Sequence, residues 1–266
     1  RTTMSARALR GLAAQNGVDL VHLNSPALRG DEDWGAPVVG VCHSCVATWW
    51  DAVRGTALPE DFDWRTERLA QGYRRCDRLI APSFAFMQTT AARYGVLPAT
   101  VRNGRRPIGT RPVPRRRQIL TSGRLWDEGK NIATLERAAR RMRGRVEAAG
   151  PLEGPNGQSV HLDRIQPLGA LSPTDLQQRL RLASIFCAPS LYEPFGLGVL
   201  EAAQAGCALV LADVPTFREL WEGAALFVPP QDDGALAAVL DDLLDDADRA
   251  RRLGRLASAR ARQFSI

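Results

Sequence analysis

The sequence has a single lysine and no long hydrophobic run. Lys130 stands alone among 35 basic residues, and the other 34 are arginines. The longest apolar stretches, residues 36–42 and 205–212, fall far short of the ~20 residues that span a bilayer. No charged and apolar leader follows Arg1, so a secretory signal is not visible. We therefore expect a cytoplasmic protein without a transmembrane helix.

Cysteine is scarce as well. The five cysteines are an odd number and lack the spacing of a disulfide framework, which favours reduced thiols. A content of 45% hydrophobic and 24% charged residues excludes an intrinsically disordered chain. The length of 266 residues allows one large domain or two smaller ones. The cysteines are Cys42, Cys45, Cys76, Cys187 and Cys207.

Short apolar or β-branched runs alternate with amphipathic stretches along nearly the whole chain. This alternation is typical of βαβ units, so we predict an α/β fold with parallel sheets. The predicted strands are residues 18–23, 37–41, 78–81, 100–102, 118–121, 145–148, 185–188, 208–211 and 225–228. The predicted helices are residues 5–15, 63–73, 84–94, 133–143, 172–183, 198–206 and 234–245.

Residues 105–117 break this alternation. They read RRPIGTRPVPRRR, and their prolines are incompatible with a continuous helix or a central strand. We predict a linker that divides the chain into domains of residues 1–112 and 113–266. The alternative for so basic a segment is a nucleic-acid arm, but it lacks interleaved aromatic residues, so we expect no nucleic-acid partner.

The segment that contains the lysine follows a predicted strand and precedes a predicted helix. Backbone amides at such a helix start, with Arg124 and Lys130 beside them, predict an anion site suited to a diphosphate. A lysine retained in an arginine-rich chain favours a role as a compact point charge. The alternative is a surface turn with incidental cations.

A second polar group follows the predicted strand 185–188. Glu193 lies in the loop at the carboxyl end of that strand, and Glu201 lies about two turns along the next helix. We expect both carboxylates to face one cleft and to bind sugar hydroxyls, while Gly196 and Gly198 allow close backbone approach. The alternative is that Glu201 pairs with a nearby arginine.

The run from Glu193 to Glu201 resembles the E-x7-E motif of retaining GT-B glycosyltransferases. The run from Gly123 to Asn131 resembles their donor-phosphate segment. Further segments are similar to glycosyltransferase family 4 (glycosyl transferases group 1) and follow one another in the same order as in that family. They are residues 21–24, 37–44, 77–83, 103–104, 150–151, 168–171 and 213–219.

This resemblance implies two Rossmann-like domains and transfer of a sugar from a nucleotide-sugar donor to a sugar or lipid-linked acceptor, with retention and without a metal or other cofactor. It gives Arg124, Lys130 and Glu193 catalytic roles. Arg124 and Lys130 would bind the diphosphate, Glu193 the sugar and Glu201 the ribose. The remaining donor-binding residues implied by the resemblance are His43, Gly123, Gly169, Ala170, Leu171, Phe195, Gly196 and Leu197.

The sequence also departs from the family pattern. Arg105 follows Asn103 and Gly104 at a position where the family often has an apolar residue and then Asp. The first strand and glycine-rich loop of the family should precede Ser5, and its last helix should follow Ile266. We therefore expect a fragment of a longer enzyme whose first domain is truncated at its N-terminus.

Other functions remain open on the residues alone. Glu193 and Glu201 are the alternative acid and nucleophile of a glycoside hydrolase, and a non-catalytic sugar-nucleotide-binding remnant is a third hypothesis. Cys42 and Cys45 form a C-x-x-C, which is a weak redox signal, and a zinc site lacks a second cysteine pair. The net charge of +6 and the basic linker predict peripheral contact with an anionic membrane.

Overall fold

The structure, a computed structural model, describes residues 2–106 and 113–266. It divides into two compact units, Arg1–Arg102 and Asn103–Ile266. The division falls before the predicted linker because the backbone of Arg105 already bonds within the second unit, where its N–H donates to the carbonyl of Phe264. Residues 107–112 of that linker lie outside the described residues, so the domain boundary at 112 stays a prediction.

The helices and strands of the first unit are α1 (Thr2–Gln15), β1 (Val21–Leu23), β2 (Val38–Val41), α2 (Val46–Val53), α3 (Asp63–Arg75), β3 (Arg78–Ala81), α4 (Phe84–Tyr94) and β4 (Ala99–Thr100). The strands form a four-stranded parallel sheet in the order β1-β2-β3-β4. Ser83 caps α4 by accepting a hydrogen bond from the Phe86 amide at 3.1 Å, and Gly95 ends that helix in the left-handed conformation.

The helices and strands of the second unit are β5 (Arg116–Ser122), α5 (Ile132–Ala139), β6 (Val146–Ala149), β7 (Gln166–Gly169), α6 (Pro173–Leu182), β8 (Ala183–Ala188), α7 (Leu197–Gln204), β9 (Ala208–Ala212), α8 (Pro215–Trp221), β10 (Leu226–Val228), α9 (Asp233–Asp245) and α10 (Ala247–Ala261). The strands form a six-stranded parallel sheet in the order β10-β9-β8-β5-β6-β7. Two parallel sheets with flanking helices confirm the predicted α/β class.

Both faces of the second sheet are covered. Every residue of β9 is buried, as expected for a central parallel strand with helices on both sides. One apolar cluster includes Leu135 and Leu240, and the other includes Phe186 and Trp221. These clusters pack against the strands from both faces of the sheet and thereby set where the loops at the carboxyl ends begin.

The predictions missed some elements. Strand β7 contains Pro167, which a central strand would exclude, but β7 lies at the edge of the sheet, where proline is tolerated. Helices α2, α8 and α10 were also missed, and α5 ends at Ala139 rather than at residue 143. Within the part of the chain that is described, every helix is too short or too polar to cross a membrane.

Candidate functional site

The loop that follows β5 begins at a glycine turn. Gly123 has a φ of 145°, and its amide donates to the carbonyl of Ala149 at 3.0 Å. Gly150 follows β6 and also has a φ of 145°. A side chain at Gly150 would overlap the carbonyl oxygen of Gly123. The neighbouring strands β5 and β6 are therefore each followed by a glycine: the backbone conformation requires glycine at both positions, and close packing requires it at Gly150 as well.

Lys130 lies over this glycine turn. A Cβ placed on Gly123 would be 3.5 Å from Cε of Lys130, so the lysine stem lies in van der Waals contact range of the space that the glycine leaves open. Asp127 shapes the same turn, because its Oδ1 accepts from the Gly129 amide at 2.9 Å. Its Oδ2 accepts from Nη2 of Arg124 at 2.8 Å. Both predicted cations thus belong to one short, internally bonded loop.

The guanidinium of Arg124 also stacks on an aromatic ring. Its Cζ lies 5.7 Å from the ring centroid of Trp126, while the side chain remains 61% exposed. One of its five N–H donors is used by Asp127, which leaves others that can reach a ligand. Arg124 is therefore oriented by the protein and still accessible to an anion.

Asn131 joins this loop to two other strands. It has a φ of 55°, a left-handed conformation that asparagine tolerates better than most residues. Its Nδ2 donates to the carbonyl of Pro189 at 2.9 Å and to that of Pro230 at 2.7 Å. Its Oδ1 accepts from the hydroxyl of Thr134 at 2.7 Å. The ends of β8 and β10 are thereby fixed to the start of α5.

The lysine and the first glutamate are in direct contact. The amide of Leu191 donates to the carbonyl of Gly129 at 2.9 Å, which places the loop after β8 beside the loop after β5. Lys130 Nζ then donates to Oε2 of Glu193, and the two side chains are only 20% and 15% exposed. The two polar segments of the sequence thus form one site at the carboxyl edge of the sheet.

Gly196 precedes the first turn of α7. Its φ is 89°, and a Cβ there would be 3.0 Å from the Phe217 ring and 3.3 Å from Cγ of Glu193. Phe195 is buried and packs edge-on against Phe264, so its side chain is not available to a ligand. The first-turn amides of α7, those of Leu197, Gly198 and Val199, have no intrahelical acceptor, and the intrahelical bonds begin where the Leu200 amide donates to the carbonyl of Gly196 at 3.1 Å.

Glu201 lies on α7 and is 14% exposed. Its carboxylate accepts hydrogen bonds from the guanidinium of Arg105, with Nε at 2.6 Å from Oε1. The alternative that Glu201 pairs with an arginine is therefore confirmed, and that arginine is the residue at which the chain departs from the family pattern. A common cleft for Glu193 and Glu201 stays a prediction.

The segment after β7 lies next to the glycine turns. The carbonyl of Gly169 accepts from the Gly150 amide at 2.8 Å, which places Gly169 beside the ends of β5 and β6. Ala170 is exposed and Leu171 is half-buried. These three residues are therefore available to a ligand at the same edge of the sheet as Lys130.

His43 belongs to the first unit, in the loop after β2. Its Nε2 lies 3.1 Å from Oδ1 of Asn24, at the end of β1. Burial lowers the pKa of His43 below its usual value, and the nearby His22 adds to that lowering. The ring is thus mainly neutral near pH 7. Its predicted place opposite the donor sugar stays a prediction.

Cys42 and Cys45, the two cysteines of the C-x-x-C, lie in surroundings that indicate structural roles. Cys42 is buried, and burial raises its pKa to about 12, opposite to the lowering that makes a thiol reactive. Cys45 caps α2, with its Sγ accepting from the Thr48 amide at 3.4 Å and lying 3.0 Å from the Tyr94 hydroxyl. Neither thiol takes part in a disulfide bond. Within residues 2–106 and 113–266, no group of His, Cys, Asp and Glu side chains could hold a metal ion.

The fold and these motifs are shared with known proteins. Residues 116–246 match the family model described as glycosyl transferases group 1, and residues 1–105 match that described as glycosyltransferase family 4. The chain belongs to this family of glycosyltransferases.

Individual relatives show the same similarity. O-antigen chain mannosyltransferase B of Escherichia coli is 37% identical over 38% of this chain and 26% of the relative. MMP alpha-(1->4)-mannosyltransferase of Mycolicibacterium hassiacum is 27% identical over 95% of this chain and 68% of the relative. Anabaena HepE, solved in complex with UDP-glucose, has a TM-score of 0.80 and 18% identity over 98% of this chain and 78% of that one, which shows a shared fold. The chain thus spans only about a quarter of the first of these relatives.

Proposed function

We propose that this protein transfers a sugar from a nucleoside-diphosphate sugar to an acceptor, with retention of anomeric configuration and without a metal. The observation that carries the proposal is the contact between Lys130 and Glu193 beside Arg124 at the carboxyl edge of the second sheet. Open α/β sheets bind their ligands at this edge. In one donor molecule, the diphosphate would bind to the cation and the sugar hydroxyls would bind to the adjacent carboxylate.

The diphosphate would be held by the two cations. An ammonium group has three donors, so Lys130 can keep its bond to Glu193 while it donates to a phosphate oxygen. Arg124 offers further donors from a partly exposed guanidinium. These charges would stabilise the negative charge that develops on the departing diphosphate, the role that a metal ion fills in other enzymes.

Glu193 would hold the transferred sugar. Its ionised carboxylate accepts strong hydrogen bonds from hydroxyl groups, and the amides from Phe195 to Leu197 at the start of α7 can supply donors on the same side. The acceptor would then attack from the side on which the leaving group departs, which preserves the anomeric configuration. In this proposal Glu201 binds the ribose, and Gly169, Ala170 and Leu171 frame the base.

The first unit would bind the acceptor. A cavity of about 260 Å³ opens at the carboxyl ends of β1 and β2, with Asn24, Ser44 and Arg65 among its lining residues. His43 adjoins it, because its ring lies 3.1 Å from Asn24. The hydroxyl, amide and guanidinium groups of these lining residues suit a sugar acceptor. We propose separately that His43 contacts the donor sugar.

The relatives support the choice of substrates. Two of them are named as mannosyltransferases, and HepE was solved with UDP-glucose. These names support a nucleotide-sugar donor and a sugar acceptor for this chain, while the base and the sugar stay open. We also propose a cytoplasmic enzyme with peripheral contact to an anionic membrane, which co-sedimentation with phosphatidylglycerol vesicles and neutral vesicles would test.

The geometry does not favour a glycoside hydrolase. A general acid must donate a proton to the leaving group, whereas Glu193 accepts a hydrogen bond from the ammonium of Lys130. A diphosphate-sized group of cations would also have no function in such an enzyme. Release of an aryl aglycone in the absence of nucleotide would nevertheless establish that alternative.

The experiment is release of free nucleoside diphosphate from a panel of UDP-, GDP- and ADP-linked hexoses. We expect Lys130→Ala and Glu193→Gln to lower the best rate by about 10²–10³-fold. Glu147→Gln is the matched control, because Glu147 is 13% exposed and pairs with Arg179. Nucleotide binding without turnover in the wild type would favour the non-catalytic remnant, and unchanged release in both site variants would refute the site.

A further inference from the structure

The backbone of Arg105 is hydrogen-bonded to two distant parts of the second unit. The N–H of Arg105 donates to the carbonyl of Phe264 at 3.0 Å, and its carbonyl accepts from Nε2 of Gln204 at 3.2 Å. A Cβ on the preceding Gly104 would lie only 3.0 Å from the Phe264 carbonyl, so this packing is close. The backbone N–H and carbonyl of Arg105 are thus both held by hydrogen bonds that do not depend on its side chain.

The side chain of Arg105 uses only one oxygen of Glu201. Its Nε donates to Oε1 at 2.6 Å, and its Nη2 donates to the same oxygen. An arginine and a carboxylate more often pair with two parallel bonds to two oxygens. Within the described residues, Oε2 of Glu201 accepts no hydrogen bond from the protein. The Glu201 side chain is only 14% exposed, and it keeps one carboxylate oxygen for another donor.

The pair also balances charge. A lone carboxylate close to a bound diphosphate would repel it, and a carboxylate buried to this extent is unfavourable without a partner. The Arg105 guanidinium is 52% exposed, so solvent screens it and the pair contributes little to stability. The main effect of Arg105 is to fix the orientation of the Glu201 carboxylate and to balance its negative charge.

We propose that Arg105 is a positioning residue that holds Glu201 with Oε2 directed at the ribose of the donor and so makes binding selective for ribonucleotides over deoxyribonucleotides. This proposal rests on the proposed function. A ribose presents two adjacent hydroxyl donors. An ionised carboxylate that is already fixed in one rotamer can accept hydrogen bonds from them at little cost in conformational entropy. Without Arg105, the carboxylate turns freely and carries an uncompensated charge.

The test is calorimetric titration with UDP, GDP and ADP and with their 2′-deoxy analogues. We expect the wild type to prefer the best ribonucleotide by about tenfold, which is typical of a hydrogen bond to a charged group. Arg105→Gln should reduce that preference to less than about threefold, and Arg105→Lys should restore part of it. Arg141→Gln is the control, because Arg141 pairs with Asp233, which is 19% exposed.

The outcomes separate this proposal from the proposed function. If Lys130→Ala abolishes nucleotide binding while Arg105→Gln keeps the full ribose preference, the role of Arg105 is refuted and the donor site stands. Tighter ribonucleotide binding by Arg105→Gln would also refute it, because Arg105 would then compete with the donor. Nucleotide binding that is indifferent to Lys130→Ala would refute both. Glu201→Gln should abolish the preference by itself, and adding Arg105→Gln should change it no further.

Discussion

Lys130 donates a hydrogen bond to Glu193 across 63 residues of sequence. The two residues follow β5 and β8, which are neighbours in the sheet although β6 and β7 lie between them along the chain. The carbonyl of Gly129 and the side chain of Asn131 connect the two loops. The contact is therefore a consequence of strand order and of two specific loop connections.

Exchange of Lys130 for arginine should impair the enzyme although the charge is kept. The lysine stem passes within about van der Waals distance of Gly123, and a planar guanidinium is larger and needs a fork-shaped partner. We expect Lys130→Arg to lower kcat/KM for the donor on the order of 100-fold, as a misplaced group does. Arg140→Lys, which alters an exposed pair with Asp163, is the control and should leave kcat/KM unchanged. Full activity of Lys130→Arg would show that only net charge matters.

Asn131 should contribute to the stability of the second unit. Asn131→Ala removes the bonds to two carbonyl groups and leaves alanine in a left-handed conformation, so we expect a loss of about 2–4 kcal/mol in the free energy of unfolding. Asn131→Gly accepts that conformation and should lose less. Urea unfolding measures both, with exposed Asn156→Ala as control. Equal stability of the alanine variant and the wild type would contradict the connecting role.

The elements with clear local signals were predictable. Helix α4 begins and ends where the sequence indicated, because Ser83 supplies the cap and Gly95 supplies the left-handed end. Helix α10 was missed because its buried positions are Ala250, Gly254, Ala257 and Ala261, which give no apolar periodicity among so many arginines. Small residues pack a helix closely, but they carry little hydrophobic signal.

The site was predictable only as two separate segments. The anion segment and the glutamate segment were identified from residue types and spacing, and their shared family pattern put them in one enzyme. Asp127 and Asn131 were missed as structural residues, since their partners are carbonyls and amides that no sequence pattern reveals. The partner of Glu201 was left open because any of the 34 arginines could have filled that place.

Cys42 should be inert in the native protein. Its pKa of about 12 leaves almost no thiolate at pH 8, and the thiolate is the reactive form. We expect iodoacetamide to label Cys42 far more slowly than Cys45, which is partly exposed, and to label all five cysteines in urea. Because the pKa is raised, the rate at Cys42 should keep rising with pH without a plateau below about 12. Rapid labelling at pH 8, measured by peptide mass spectrometry, would revive the redox hypothesis.

Gly150 offers the sharpest test of how the glycine turns shape the proposed donor site. Gly150→Ala would force a side chain against the Gly123 carbonyl at a φ that only glycine readily adopts, so we expect a loss of more than about 3 kcal/mol or a shifted loop. Gly157→Ala is the matched control, because Gly157 also has a positive φ, of 82°, but has no atom within 4 Å of the added carbon. Gly157→Ala should lose only about 1–2 kcal/mol.

Since Gly123 lies under Lys130, Gly150→Ala should also weaken nucleoside diphosphate binding, whereas Gly157→Ala should not. Equal effects of the two substitutions on stability and on binding would mean that backbone conformation alone, rather than the contact between the two turns, accounts for the glycine.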